Sequence, residues 1–251
     1  MFHPSYPNPT IAEALCEVHF ELQEGAEWKA SLPGEFFKRI QDEYPEMEPI
    51  QEMGVQFEAK PSGLAQRILP ARSRFRYKNK DKPVLIQLAE KIVTLNVLPR
   101  YPGWAVMVDR IADTWRQTSE LLAPGRVNRI GLRYINRVPK ESRDQRASEW
   151  FKTTDYIAPA VLRSGAGLLS RVEARLDLEN RAIVTLGDQG ASPSDTSGAF
   201  ILDVDRIVEK DLPVAVEGIT AEATRLHEDV WNIFASAKTE KLERLLQGGA
   251  P

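Results

Sequence analysis

A single cysteine, Cys16, serves 251 residues. That excludes an internal disulfide and fits a chain folded in a reducing, cytoplasmic setting. Cys16 stands on the apolar side of its segment, where a thiol packs and does not react. Histidine is also scarce: His3, His19 and His227 are the whole set, and none is spaced to share a helical face with another. No HExxH, paired CxxC or DxDxDG element occurs, and neither does a GxSxG elbow, a P-loop or a GxGxxG turn. Resident metals, cofactors and the commoner nucleophile arrangements are therefore not expected. No apolar run is long enough to cross a bilayer. The opening Met1-Phe2-His3-Pro4 lacks the basic-then-apolar order of a signal peptide. The net charge of −3 argues against a general nucleic-acid binder, which is basic over its binding surface.

What is abundant is charge laid out with a period of two. Arg129-Ile130-Gly131-Leu132-Arg133-Tyr134-Ile135-Asn136-Arg137 reads as one strand with unlike faces. Side chains alternate across a strand, so Arg129, Arg133 and Arg137 share one side and Ile130, Leu132 and Tyr134 the other. Arg72, Arg74 and Arg76 align the same way, as do Arg171, Glu173, Arg175 and Asp177. On the first strand, Thr10–Leu22, the residues Glu13, Glu17, His19 and Glu21 oppose Ala14, Cys16, Val18, Phe20 and Leu22. A sheet with one densely charged face is expected.

The order of elements then repeats. Strand Thr10–Leu22 is followed by a helix over Gly34–Tyr44. A strand lies within Gly63–Lys78, two more cover Val84–Leu88 and Ile92–Leu98, and a long helix starts after Pro102-Gly103. From Val127 the series restarts: strand Val127–Val138, a helical segment near Ala147–Tyr156, then strands Leu168–Leu178, Arg181–Leu186 and Ala199–Arg206. The polar loop Gly187–Gly198 lies between the last two. A final helix is expected over Thr220–Leu246, with Ile219, Ala223, Leu226, Val230, Phe234 and Ala237 on its buried side. This predicts an α+β fold of two similar units, over residues 1–124 and 125–251. Each unit reads strand, helix, three antiparallel strands and long helix, with the helices on one face of the sheet, as an internal duplication would give.

Three motifs occur together: Asn8-Pro9-Thr10-Ile11-Ala12-Glu13-Ala14, Leu98-Pro99-Arg100-Tyr101-Pro102-Gly103-Trp104, and Arg129 to Arg137. The set resembles a sporadically distributed, functionally uncharacterised bacterial family of about this length. Thr10 stands where that family usually has a second proline. The resemblance covers residues 8–137 by motif and the rest by order of elements. It implies an accessory role, of the defence or toxin-neutralising type.

Two functional classes follow. In the first, the protein is a non-enzymatic binding or regulatory subunit. Arg72, Arg74, Arg76, Arg129, Arg133 and Arg137 would meet a protein partner or small anionic ligand on the sheet face or in a cleft between units. Tyr101 and Trp104 would supply an aromatic anchor. The alternative is a metal-dependent phosphohydrolase acting on triphosphates in a charged β-tunnel. Glu17 and Glu21 would then hold the metal and the arginines the phosphates. The usual Glu-x-Glu-x-Lys is absent there, and Glu17-x-His19-x-Glu21 stands in its place. His227, beside Glu228 and Asp229, reads as a partly exposed helix residue.

Overall fold

The computed structural model describes residues 5–52, 55–60, 63–68, 72–80, 83–163, 167–190 and 197–249, with side chains described outside 52–72. In chain order the elements are β1 (Ile11–Leu22), α1 (Leu32–Ile40), β2 (Glu46–Glu52), β3 (Val55–Lys60), β4 (Gly63–Ile68), β5 (Arg72–Lys78), β6 (Val84–Ala89), β7 (Ile92–Val97) and α2 (Trp104–Leu122). There follow β8 (Pro124–Pro139), a 3₁₀ turn at Ala147–Glu149, α3 (Pro159–Leu162), β9 (Leu169–Arg175), β10 (Asn180–Gln189), β11 (Ala199–Leu212), α4 (Val216–Ala237) and α5 (Glu240–Leu246). Nine strands form one antiparallel sheet in the order β2-β5-β6-β7-β1-β8-β11-β10-β9, and β3 and β4 form a separate hairpin.

The expected alternation sets the layers. Ala14, Cys16 and Val18 of β1 lie beside Tyr134, Leu132 and Ile130 of β8, which lie beside Val204, Arg206 and Val208 of β11. All of these are buried, on the face that α4 and α2 cover. Cys16 is enclosed there, and burial pushes its thiol up to about 12, which leaves it unreactive. One charged side chain interrupts the apolar layer. Arg206 is buried under α4, where it reaches Asp229 at 2.7 Å and the carbonyl of Arg181.

On either side of the β1–β8 pair the strands run in the same sequence, β7-β6-β5 outward from β1 and β11-β10-β9 outward from β8. Each series leads into a long helix, α2 or α4, and the two helices pack together. α2 buries Met107, Ile111, Trp115 and Leu122, at helical spacing. α4 buries the six residues anticipated for it.

Several local expectations need correction. The final helix is two helices. At Lys238 the backbone is extended, and the Thr239 hydroxyl caps a new helix by accepting from the Leu242 amide. Lys238 and Thr239 are drawn aside by a short bridge to Phe151 and a hydrogen bond from the Thr239 amide to the Trp150 carbonyl. The helix near Ala147–Tyr156 is only a 3₁₀ turn, because Trp150 and Phe151 are spent as buried plugs. β2 was not anticipated. Its Pro49 is a poor strand residue, tolerated because β2 is an edge. Of the polar loop, residues 191–196 lie outside the described residues.

α2 ends on a strained residue. Ala123 sits in the left-handed region (φ 44°, ψ 60°), with its amide bonded to the Ser119 carbonyl. A side-chain-bearing residue there costs roughly 1 kcal/mol that glycine avoids. Ala123→Gly is expected to raise stability by about 0.5–1 kcal/mol, read as a rise of about 2 °C in a thermal melt.

Candidate functional site

Two places gather the anticipated residues: the sheet face turned away from α2 and α4, and a cleft on the helix side.

On the far face, Arg133 holds Asp203 with two parallel hydrogen bonds, Nε to Oδ1 at 2.8 Å and Nη2 to Oδ2 at 2.7 Å. Arg129 lies 3.8 Å from Glu209, and Arg137 donates to Gln189 at 3.2 Å. Arg74 extends across the sheet to Thr94 at 3.4 Å and to Glu17 at 3.6 Å. Arg76 and Lys78 share Glu48, at 3.1 and 2.8 Å. Arg72 pairs in register with Glu52, and its side chain is outside the described set. The arginine rows of β5 and β8 thus do share one face, and each described arginine there has a carboxylate, amide or hydroxyl oxygen within 4 Å. Acceptors on neighbouring strands were not visible in the alternation, which gives a face to each residue but no partner.

Glu17 is the hub of this network. The His19 ring donates to it at 2.5 Å and the Thr94 hydroxyl at 3.3 Å. Burial pushes the Glu17 carboxyl up, but His19, Arg74 and Arg129 outweigh that and hold it at about 2. Asp205 goes the other way. Burial raises it to about 6, against the pull of Arg133 and Arg129 and with Asp203 and Glu17 adding to the rise. Glu21 is separate, held by Arg126 at 2.8 Å and Asn128 at 3.1 Å. Glu17 and Glu21 therefore engage different partners, and no group of three metal-ligating side chains gathers among the described residues.

The cleft is a cavity of about 580 Å³. It opens where the N-terminus of α2 meets α4, above the start of β1 and the far half of β8. Pro102 and Gly103 end the preceding segment and aim Trp104 at α4. Gly103 has φ 97°, a conformation glycine adopts without strain. Trp104 lies flat on His227 of α4, with ring centroids 4.1 Å apart and 4° between planes. Tyr101 and Tyr134 share a hydrogen bond of 2.7 Å between hydroxyls, and Tyr134 reaches His227 Nδ1 at 3.3 Å. Burial raises both phenols well above the usual range. Tyr6 and Trp231, stacked at 5.9 Å, close another side. Thr10 and Asn136, themselves bonded at 3.1 Å, put polar atoms on the floor.

Tyr101 and Trp104, two of the anticipated anchors, are both in this wall. The partners Tyr6, Tyr134, His227 and Trp231 were not singled out as a group. Their only signal was aromatic character at scattered positions, and the β1–β8 and α2–α4 contacts assemble them. No helix among the described residues is long and apolar enough to cross a membrane. No family model matches the chain, and no curated protein matches it.

Proposed function

We propose that the protein is a non-enzymatic binding or regulatory subunit, and that its ligand is a flat, largely apolar small molecule held in the cleft between the two halves. The observation that carries this reading is the aromatic-walled cavity of about 580 Å³. Its volume falls in the range of small-molecule pockets, which are mostly apolar with a few placed polar groups. Trp104 and His227 offer a preformed stacking surface. The phenols of Tyr101 and Tyr134 are bonded to one another and put a polar edge beside that surface, which orients a ligand.

The cleft carries the binding role better than the arginine face does. The far-face guanidinium groups already hold carboxylates, amides or hydroxyls, and an incoming anion would have to displace them. The phosphohydrolase alternative gains no support from Glu17 and Glu21, which hold separate sets of partners. We read the two halves, meeting near residue 124, as a duplicated unit whose copies joined through β1 and β8. The matching strand sequences outward from that pair support this. On this reading the cleft is a product of the joining, with one wall from each copy. The resemblance noted above supplies the setting, an accessory bacterial system of the defence or toxin-neutralising type.

The test is a thermal-shift screen with a panel of planar heteroaromatic compounds, followed by titration of tryptophan fluorescence. Compounds that raise the melting temperature of the wild type are expected to bind Trp104→Ala at least tenfold more weakly, as expected of an aromatic anchor. Arg133→Glu is expected to bind as the wild type does. A panel with no binder, or a binder indifferent to Trp104→Ala, would sink the proposal.

A further inference from the structure

The nine-stranded sheet has two edges, and they are built differently. β2 carries Pro49 and three glutamates, Glu46, Glu48 and Glu52. Proline removes a donor and acidic residues repel, both common protections of an exposed edge. β9 carries neither protection in that form. Its seven residues, Leu169-Ser170-Arg171-Val172-Glu173-Ala174-Arg175, contain no proline, and its charges alternate in sign.

The pairing of β9 fixes which of its main-chain groups face outward. The Leu176 amide donates to the Asn180 carbonyl and the Asp188 amide to the Leu168 carbonyl. The register between them runs without a bulge. Even-numbered residues therefore turn their amides and carbonyls toward β10, and Leu169, Arg171, Glu173 and Arg175 turn theirs outward. β9 is the last strand of the sheet, so among the described residues this row has no strand beside it.

We propose that β9 pairs antiparallel with β9 of a second copy of this chain, about a two-fold axis at Val172, so that one sheet runs through both copies. The charges favour this register over the two nearest to it. With Val172 on the axis, Arg171 of each copy faces Glu173 of the other, and these are outward-bonding positions. Leu169 faces Arg175, whose methylenes lie over it. Moving the axis by one residue either way sets like against like. On Glu173 it opposes Glu173 to itself and Arg171 to Arg175, and on Arg171 it opposes Arg171 to itself. Like charges directly opposite destabilise a pair of strands, and opposite charges stabilise it.

Exposed apolar side chains point to the same edge. Leu169 is 77% exposed, and Leu176 and Leu178, at the tip of the β9–β10 hairpin, are 49% and 90% exposed. Among the described residues only Met47 and Val106 join them as large exposed hydrophobic residues. Apolar surface gathered at a strand edge is what a self-associating edge presents. Within one copy, Glu173 lies 3.8 Å from Arg171 and 3.4 Å from Arg181. These are exposed contacts that exchange readily for the cross-copy pair.

Sedimentation velocity of the full chain over about 1–200 μM, the range of a small interface, is expected to show monomer passing to dimer. Glu173→Arg and Arg171→Glu, each shown to be folded by its thermal melt, are each expected to weaken the dimer at least about tenfold, because each turns two symmetric attractions into repulsions. The double variant Arg171→Glu/Glu173→Arg restores opposite charges in the same register and is expected to dimerise as the wild type does. A wild type that stays monomeric throughout overturns the proposal. So does a dimer that ignores either single reversal, or one that the double exchange fails to restore. These outcomes do not depend on the cleft or on what it holds.

Discussion

Trp115→Ala is expected to destabilise the protein by about 3–5 kcal/mol, the usual cost of emptying a large aromatic site in a core. Trp115 is 1% exposed. It meets Phe20 of β1 edge-on, with centroids 5.9 Å apart. Its indole N–H donates to the Val214 carbonyl at 2.7 Å, in the connection from β11 to α4. The ring thus ties α2, from the first half, to the chain entering α4 in the second. Truncation removes both the packing and the donor, and leaves a carbonyl that had been satisfied. In a chain of this size the loss is read as a fall of roughly 10 °C in melting temperature. Trp115→Phe separates the two contributions. It keeps most of the ring and loses the hydrogen bond, so its expected cost is nearer 1–2 kcal/mol. Equal loss in both variants would show that the hydrogen bond, and not the packing, dominates.

Glu17→Gln is expected to cost about 3 kcal/mol at neutral pH and almost nothing near pH 2. The Glu17 carboxyl is held at about 2 in the folded protein, against an ordinary value of 4.5. Its side chain is only 22% exposed, so solvent screens it weakly. A carboxyl with a depressed folded value stabilises the fold fully above its unfolded value. That contribution is lost as the pH falls from about 4.5 to about 2. Each pH unit of separation corresponds to about 1.4 kcal/mol. Denaturant melts of wild type and Glu17→Gln across this window should therefore converge toward acid. Asp205, raised to about 6, has the opposite sign. Its contribution is full below about 4 and is lost as the pH rises through 6. Glu17 is one cause of that rise, so the two proteins are compared below about pH 4, where Asp205 is protonated in both. A gap between the two that persists unchanged at pH 2 would mean that Glu17 acts by shape and not by charge.

Much of the secondary structure was legible because a single period governs each element. In β8 the step of two separated Ile130, Leu132 and Tyr134 from Arg129, Arg133 and Arg137, and the structure buries the first three. In α4 the six buried residues follow from helical spacing alone. Where one period did not govern, the reading went astray. Lys238 lies within a helical pattern but answers to a bridge with Phe151. Trp150 and Phe151 leave a helical pattern because the core takes them. β2 was hidden by Pro49, whose fitness for a strand depends on having no neighbour on one side. Tyr101 and Trp104 stood out as an aromatic corner, and His227 did not. Their apposition spans about half of the chain, and spacing along the chain carries no signal of it.

By itself the sequence determined which residues face apart on each strand, which stripe α4 buries, and a mixed α+β class with antiparallel strands. These are properties of a periodic backbone and its side-chain alternation. Only the tertiary structure decided that β1 and β8 lie side by side, that the arginines of one face meet carboxylates from other strands, and that Trp104 and His227 form a shared wall. Those facts depend on register and on packing between segments far apart in the chain, where the energy comes from contacts that no local pattern specifies.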